Sequence, residues 1–130
     1  MGETRRHRDE TAWQDLAGYV RATRSGSRVE VSGTTSSAPD GTAQFPGDVH
    51  GQTRDALERS VAAVEALGGT VADVVRTRVL LVPGVDWQAA ARAHREVFGE
   101  HPPANTTLFV AGLVGDGLLV EVEVSAEVDP

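Results

Sequence analysis

The sequence predicts a single domain in which a β-sheet is covered on one face by two helices. Residues 120–128 alternate apolar and polar side chains, which is typical of a strand with one buried face. Two segments with helical periodicity, residues 48–67 and 87–98, lie on either side of a β-rich run at residues 74–82. A strand, a helix and a strand in succession favour a right-handed crossover, which places the helices on the sheet.

The first part of the chain is predicted to contain a flexible terminus, a hairpin and a long loop. Residues 1–12 are charged and polar, so we expect a flexible segment there, with residues 13–130 forming the domain. A phosphate-binding arm built on the terminal arginines is the alternative. Residues 18–23 and 28–33 are short β-type runs joined by Ser25-Gly26-Ser27. Residues 33–47 have the composition of a loop, and a loop of this length often borders a site.

Two helices and a central strand are predicted next. Asp48 is a suitable N-cap for the first helix, which the glycines at 68–69 end. The run at 74–82 is apolar on both sides, as expected of a central strand, with Val75 and Thr77 on one face. Asp86 is a suitable N-cap for the second helix, which ends at Gly99. The residues predicted for its inner face are Ala90, Ala91, His94 and Phe98.

The last third of the chain is predicted to be an antiparallel hairpin. Residues 106–113 and 118–128 are β-rich, and a Gly-Asp-Gly turn lies between them. One face of this hairpin is apolar, and the other carries Glu121 and Glu123, with Asn105 at its entrance. A strand carboxylate can orient water or relay a proton, although an exposed strand face is the simpler explanation of the two glutamates. Tyr19 and the loop that begins at Thr34 are further candidates for lining a pocket.

Composition excludes several classes of function. The chain has no cysteine and no lysine, which excludes disulfides, thiolate metal sites and a lysine Schiff base. The four histidines show no metal-ligand spacing, and no nucleotide-binding fingerprint is present, so we expect neither a metal nor a cofactor. A net charge of −7 argues against a nucleic-acid partner. No long apolar run or secretory leader is visible, so we expect a cytoplasmic protein without a membrane partner.

An ordered set of short segments resembles the Rid family of reactive-intermediate (enamine/imine) deaminases, also called the RidA/YjgF or L-PSP family. The resemblance extends from about residue 19 to residue 128. It rests on Val31-Ser32-Gly33, residues 47–53, residues 66–69 leading into 73–77, Asp86-Trp87, and Pro103-Ala104-Asn105 followed by residues 120–123.

The resemblance implies an α+β, chorismate-mutase-like fold, with three copies forming a homotrimer around a β-barrel core and a small-molecule pocket at each subunit interface. It also implies hydrolysis of enamines or imines without metal or cofactor. Tyr19 matches the family's pocket tyrosine, and Glu121 matches the glutamate that helps position water. Asn105 stands where the family has an arginine that binds the substrate carboxylate. Gly33, Thr34 and His94 complete the expected substrate-binding set.

The change from arginine to Asn105 shapes the functional hypotheses. A guanidinium binds a carboxylate through charged, bidentate hydrogen bonds, whereas an amide offers neutral ones. We therefore expect an enzyme that processes an enamine or imine other than 2-aminoacrylate. A non-catalytic trimer that binds a metabolite or a protein is the alternative, and a ribonuclease is disfavoured by the acidic charge. Another arginine could bind the substrate carboxylate in place of the family arginine. The sequence leaves open whether Arg21, Arg24, Arg76 or Arg78 does so.

Overall fold

A computed structural model, which describes residues 3–130, contains one mixed six-stranded sheet with two long helices on one face. The strand order is β1-β2-β3-β6-β4-β5, and all neighbours are antiparallel except β4 and β5. The predicted fold class is therefore confirmed. The strands are β1 (Arg5–His7), β2 (Ala22–Ser25), β3 (Arg28–Thr34), β4 (Val74–Leu81), β5 (Ala104–Phe109) and β6 (Val120–Glu127). The helices are α1 (Trp13–Ala17), α2 (Val49–Ala66) and α3 (Trp87–Phe98).

The core lies between the sheet and the two long helices. The apolar residues of β6 alternate as predicted, and Val120, Val122 and Val124 are buried in the same cluster as Leu57 of α2 and Phe98 of α3. Burial of a side chain the size of leucine or phenylalanine contributes about 1.5–3 kcal/mol. We call the side of the sheet that carries these valines the helix face, and the opposite side, which carries Arg78, Glu121 and Glu123, the outer face.

The helix boundaries follow the predicted caps. The side chain of Asp48 accepts a hydrogen bond from the backbone N–H of Gly51 at 2.8 Å, and Asp86 caps α3 in the same way. Gly68 ends α2 with a φ of 95°, a conformation that glycine adopts without strain. The inner face of α3 differs in one position from the prediction, because Ala91 is exposed and Ala93 is buried.

The N-terminal part of the chain is more ordered than predicted. Residues 18–33 form the predicted hairpin, although β2 begins only at Ala22. Residues 5–7, which lie in the segment predicted to be flexible, form β1 on the edge of the sheet beside β2. Arg5 of β1 and Arg24 of β2 both donate to the carbonyl oxygen of Leu67, at 2.8 and 2.7 Å, and so connect the edge of the sheet to the end of α2.

The predicted C-terminal hairpin is wrong. Strand β5 pairs in parallel with β4, and β4 lies between β5 and β6, so residues 104–109 and 120–127 are not neighbours. Each of the two runs reads as a strand, but α3 delivers β5 to the far edge of β4 through a crossover. Strand β4 also has a register shift between Val74 and Arg76, which leaves Val75 exposed instead of sharing a face with Thr77.

Candidate active site

Glu121 lies on the outer face of β6, directly over the backbone of Gly33. A Cβ atom at position 33 would stand 2.2 Å from Glu121 Oε2, so a larger residue and this carboxylate could not occupy their present places together. The register of β3 against β6 shifts between Val31 and Thr34, so Gly33 lies at an irregularity of the sheet. A side chain at position 33 would therefore displace the carboxylate, which lies against the bare backbone of Gly33.

A cavity of about 400 Å³ opens in front of Glu121. Its polar side is formed by Ser32, Gly33, Thr34 and Thr35 at the end of β3, together with two arginines. Its apolar side combines α1, the segment after α1 and the loop between β5 and β6: the residues are Trp13, Ala17, Tyr19 and Val114. The cavity can therefore hold a small molecule with an apolar group beside the carboxylate.

Contacts with neighbouring loops hold the apolar side of this cavity in place. The ring of Trp13 lies against Gly41 and Gly115, where an added Cβ would approach it to 3.3 and 3.7 Å. Gln52 of α2 accepts from the N–H of Leu119 at 2.9 Å and donates to the carbonyl of Gly117 at 3.0 Å. The buried Gln52 thereby holds the loop that carries Val114 against the domain.

The Glu121 carboxylate is available for proton transfer. Within residues 3–130 the structure contains no hydrogen bond or ion pair to its oxygens. Burial raises the pKa of Glu121, and the charge of Glu123 adds to this effect, while Arg21 partly opposes it. A carboxylate with a raised pKa is a stronger base than an ordinary glutamate and exchanges its proton nearer to neutral pH.

Two arginines line the cavity in front of Glu121, and both already bind other groups of the same chain. Arg21 is buried and donates to the carbonyl oxygen of Gly33 at 2.7 Å and to Thr34 Oγ1 at 3.1 Å. Arg59 donates to the carbonyls of residues 35 and 37, at 2.7 and 3.0 Å. Both guanidinium groups also bind one carboxylate, that of Asp9. They hold the polar side of the cavity in place.

The other arginines considered in the sequence analysis lie elsewhere. Arg24 binds the carbonyl oxygen of Leu67 at 2.7 Å, Arg76 donates to Thr106 Oγ1 at 2.8 Å, and Arg78 pairs with Glu123 at 3.3 Å. None of these three lines the cavity that contains Glu121, among the residues that the structure describes.

Asn105 and His94 lie on the opposite face of the sheet from Glu121. Asn105 is paired with Thr77 across β5 and β4, and its Nδ2 donates to Thr77 Oγ1 at 3.0 Å. The same hydroxyl is 2.7 Å from Nε2 of His94, and Thr107 Oγ1 donates to Asn105 Oδ1 at 3.0 Å. Burial lowers the pKa of His94, which keeps the imidazole neutral at pH 7. His94, Asn105 and Thr107 line a smaller cavity of about 110 Å³ together with Ala91.

The expected site residues therefore fall into two groups. Tyr19, Gly33, Thr34 and Glu121 line one cavity, whereas His94 and Asn105 line another. We call these the Glu121 cavity and the Asn105 cavity. The sheet separates them, because Thr77 and Val124 share the helix face while Glu121 alternates to the outer face. Within residues 3–130, the sheet lies between the Asn105 and Glu121 side chains.

Several residues of the Glu121 cavity were not predicted from the sequence, and neither was Asp9, which binds two of the cavity's arginines. Asp9 and Trp13 belong to the segment around the expected flexible terminus, and Val114 belongs to the expected turn region. Arg59 lies in α2, the first predicted long helix. One local signal for Asp9 exists, because an Asp two residues before a Thr often forms a side-chain turn. No pattern in the sequence connects Arg59 to residues fifty positions away.

Among residues 3–130, no group of three or more His, Cys, Asp or Glu side chains is placed to hold a metal ion. No helix in this part of the chain is long and apolar enough to cross a membrane.

Comparison with known proteins identifies relatives over nearly the whole chain. The family model described as Endoribonuclease L-PSP matches residues 10–128. The protein SCO2049 of Streptomyces coelicolor is 38% identical over 122 residues, which cover 94% of this chain and 90% of the relative. A protein of Acinetobacter baylyi named 3-aminoacrylate deaminase RutC is 33% identical over 113 residues, which cover 87% of this chain and 89% of that protein.

A solved structure has the same fold. The crystal structure of Rv2704 from Mycobacterium tuberculosis, described as a member of the YjgF/YER057c/UK114 family, superposes with a TM-score of 0.86 at 36% identity. The match covers 97% of this chain and 100% of that chain.

Proposed function

The chain belongs to the Endoribonuclease L-PSP family, also called the YjgF family, and we propose that it hydrolyses an uncharged enamine or imine with Glu121 as its acid–base group. The observation that carries this proposal is the Glu121 carboxylate, which is half-buried, unpaired within residues 3–130 and adjacent to a cavity of small-molecule size. Similarity to a protein named for deamination of the enamine 3-aminoacrylate supports the reaction class.

The proposed chemistry needs one group that can accept and return a proton. An enamine tautomerises to an imine when a proton is added to its carbon and a proton leaves its nitrogen. Glu121 then accepts a proton from water as the water oxygen bonds to the imine carbon, and it passes that proton to the nitrogen, which gives a neutral carbinolamine. Glu121 next accepts the hydroxyl proton and returns it to the nitrogen as the C–N bond breaks, which yields a carbonyl compound and ammonia. The raised pKa of Glu121 suits both directions of proton transfer.

The charge of the substrate follows from the groups around the site. 3-Aminoacrylate carries a carboxylate, which a cationic side chain would bind well. Here Asn105 supplies an amide, and the two arginines of the Glu121 cavity are engaged by Asp9 and backbone carbonyls. The wall of Trp13, Tyr19 and Val114 favours an apolar substituent. We therefore assign an uncharged substrate with an apolar group.

We also propose that three copies assemble so that the Asn105 cavity of one chain meets the Glu121 cavity of its neighbour. A ring of identical subunits joins two different surfaces of each chain. The two cavities lie on different faces of the sheet, so they are different surfaces of the kind that neighbouring subunits of a ring bring into contact. The exposed side chains Val75 and Phe109, 46% and 51% accessible, supply apolar surface for such contacts.

The hydrolase proposal is tested by Glu121→Gln. Uncharged imines can be generated in the assay by an amine oxidase, and ammonia release is measured above the spontaneous rate. We expect turnover to fall by about 10²-fold or more, which is typical of the loss of a general acid–base group. Glu127→Gln is the matched control, since Glu127 lies on the same strand, is exposed and is outside the cavity.

Two results would reject the hydrolase proposal. Equal turnover by wild type and Glu121→Gln would remove the catalytic role of Glu121. Binding of small molecules without turnover of any imine would favour a non-catalytic binding protein. The family description also names a ribonuclease activity, but a net charge of −7 offers little attraction to phosphate. RNA cleavage that Glu121→Gln abolishes would support that activity instead.

A further inference from the structure

Arg21, Arg59 and Thr11 form a wall between two cavities. One is the Glu121 cavity, and the other has a volume of about 290 Å³ and is lined on its far side by residues of the N-terminal segment and α2. Asp9 lines only this second cavity. The two guanidinium groups that border the candidate active site are thus bound from behind by a carboxylate of the same chain.

The Asp9 carboxylate occupies a site with five hydrogen-bond donors. Its Oδ2 accepts from Arg21 Nε at 3.1 Å and from Arg59 Nη2 at 3.2 Å. Its Oδ1 accepts from the backbone N–H and hydroxyl of Thr11, at 3.1 and 2.7 Å, and from Gln14 Nε2 at 2.6 Å. Arg21, Thr11 and Gln14 are buried. Charged donors, a hydroxyl, an amide and a backbone N–H are the groups that proteins use to bind a carboxylate.

Asp9 remains ionised in this environment. Burial raises the pKa of Asp9, but the hydrogen bonds from Thr11 and the charges of Arg21 and Arg59 outweigh it, so the pKa lies below its ordinary value. Two positive charges at the wall are therefore offset by Asp9 and by Glu121 when Glu121 is ionised. The net electrostatic attraction of the wall for the carboxylate of a ligand is therefore small.

We propose that Asp9 is a specificity-determining residue, a built-in carboxylate that occupies the Arg21–Arg59 pair and thereby excludes anionic substrates from the Glu121 cavity. This inference rests on the proposed function, because it assumes that the Glu121 cavity is the substrate site. Removal of the Asp9 charge would leave the positive charges of both guanidinium groups without their shared carboxylate, and both groups already line the Glu121 cavity. The cavity would then accept a carboxylate in place of an uncharged group.

The covalent connection gives Asp9 an advantage over a free anion. The segment that carries it is held on one side by the pairing of β1 with β2 and on the other by α1. A tethered group acts at an effective concentration of about millimolar or higher, so a free carboxylate at lower concentration does not displace it. Exclusion of anions is thus expected at ordinary substrate concentrations.

The test compares benzoate with benzamide, which have the same ring and differ in charge. The chain contains two tryptophans, so Trp87→Phe leaves Trp13, in the wall of the Glu121 cavity, as the fluorescent reporter. In this background we expect Asp9→Asn to tighten benzoate binding relative to benzamide by about tenfold or more, the effect of one charge-assisted hydrogen bond. Asp15→Asn removes the same charge from an exposed pair with Arg8 and should leave the ratio unchanged.

Further variants keep the test decisive. If Asp9→Asn shows no cooperative unfolding transition, it is not folded, and Asp9→Ser takes its place in the test. The serine hydroxyl can still accept a hydrogen bond from Thr11. Adding Arg59→Gln to the folded variant should abolish the gain in benzoate binding. An unchanged benzoate-to-benzamide ratio, or a gain that survives Arg59→Gln, would overturn the inference. This test measures binding and not turnover. A failure of imine hydrolysis would therefore reject the proposed function without deciding whether Asp9 excludes anions.

Discussion

Gly33→Ala tests the claim that Glu121 acts from its position over the β3 backbone. The new Cβ would lie 2.2 Å from Glu121 Oε2 and 3.0 Å from the carboxyl carbon, whereas ordinary contacts begin at 3.4 Å. The carboxylate therefore has to move by about 1 Å, and a displacement of that size at a catalytic group costs about 100-fold in rate. No positive φ is required at this glycine, so alanine fits the backbone.

The expected result separates catalysis from stability. The atom that has to move is the end of a flexible side chain, so we expect the melting temperature to change little while kcat for an uncharged imine falls. Gly112→Ala is the matched control, because nothing lies within 4 Å of its added Cβ and its φ is not positive. Unchanged kcat in Gly33→Ala, with a folded protein, would refute the argument that the position of this carboxylate matters.

Two further predictions concern charge at the proposed site. Glu123→Gln removes a negative charge that raises the pKa of Glu121, so that pKa falls and more of the carboxylate is ionised at low pH. The acidic limb of the kcat/KM profile should shift to lower pH, and a shift to higher pH or none would contradict the assignment of Glu121 as the base. Asn105→Arg restores a charged, bidentate donor and should raise turnover of 2-aminoacrylate about tenfold or more relative to an uncharged imine. A proportional change for both substrates in a competition assay would show that residue 105 does not select for charge.

Local patterns in the sequence were sufficient for most individual elements. Alternation along residues 120–127 identified β6 and its buried face, and the caps at Asp48 and Asp86 marked the starts of both long helices. Such features depend on neighbours in sequence, through the two-residue period of a strand or the unpaired N–H groups of a helix. The pairing of strands depends on distant contacts, and this is where the expected hairpin failed.

The candidate site was only partly predictable for the same reason. Tyr19, Thr34 and Glu121 were candidates from the residue pattern and Gly33 from the family resemblance, and all four share a cavity. The separation of Asn105 from Glu121 follows from strand order and register, which the sequence pattern does not specify. The Asp9 contacts with Arg21 and Arg59 join residues 12 and 50 positions apart, so no local pattern reveals them.

The proposed enzyme requires a site that is completed between subunits, and a mixture of two inactive variants tests this directly. Asn105→Leu disables one cavity and Glu121→Gln the other, and equal amounts are unfolded and refolded together. If each site takes Asn105 from one chain and Glu121 from its neighbour, about a quarter of the sites in random trimers are intact. We predict recovery of about a quarter of wild-type imine hydrolysis. If each variant alone is inactive and the mixed trimers recover no imine hydrolysis, a site shared between subunits is contradicted.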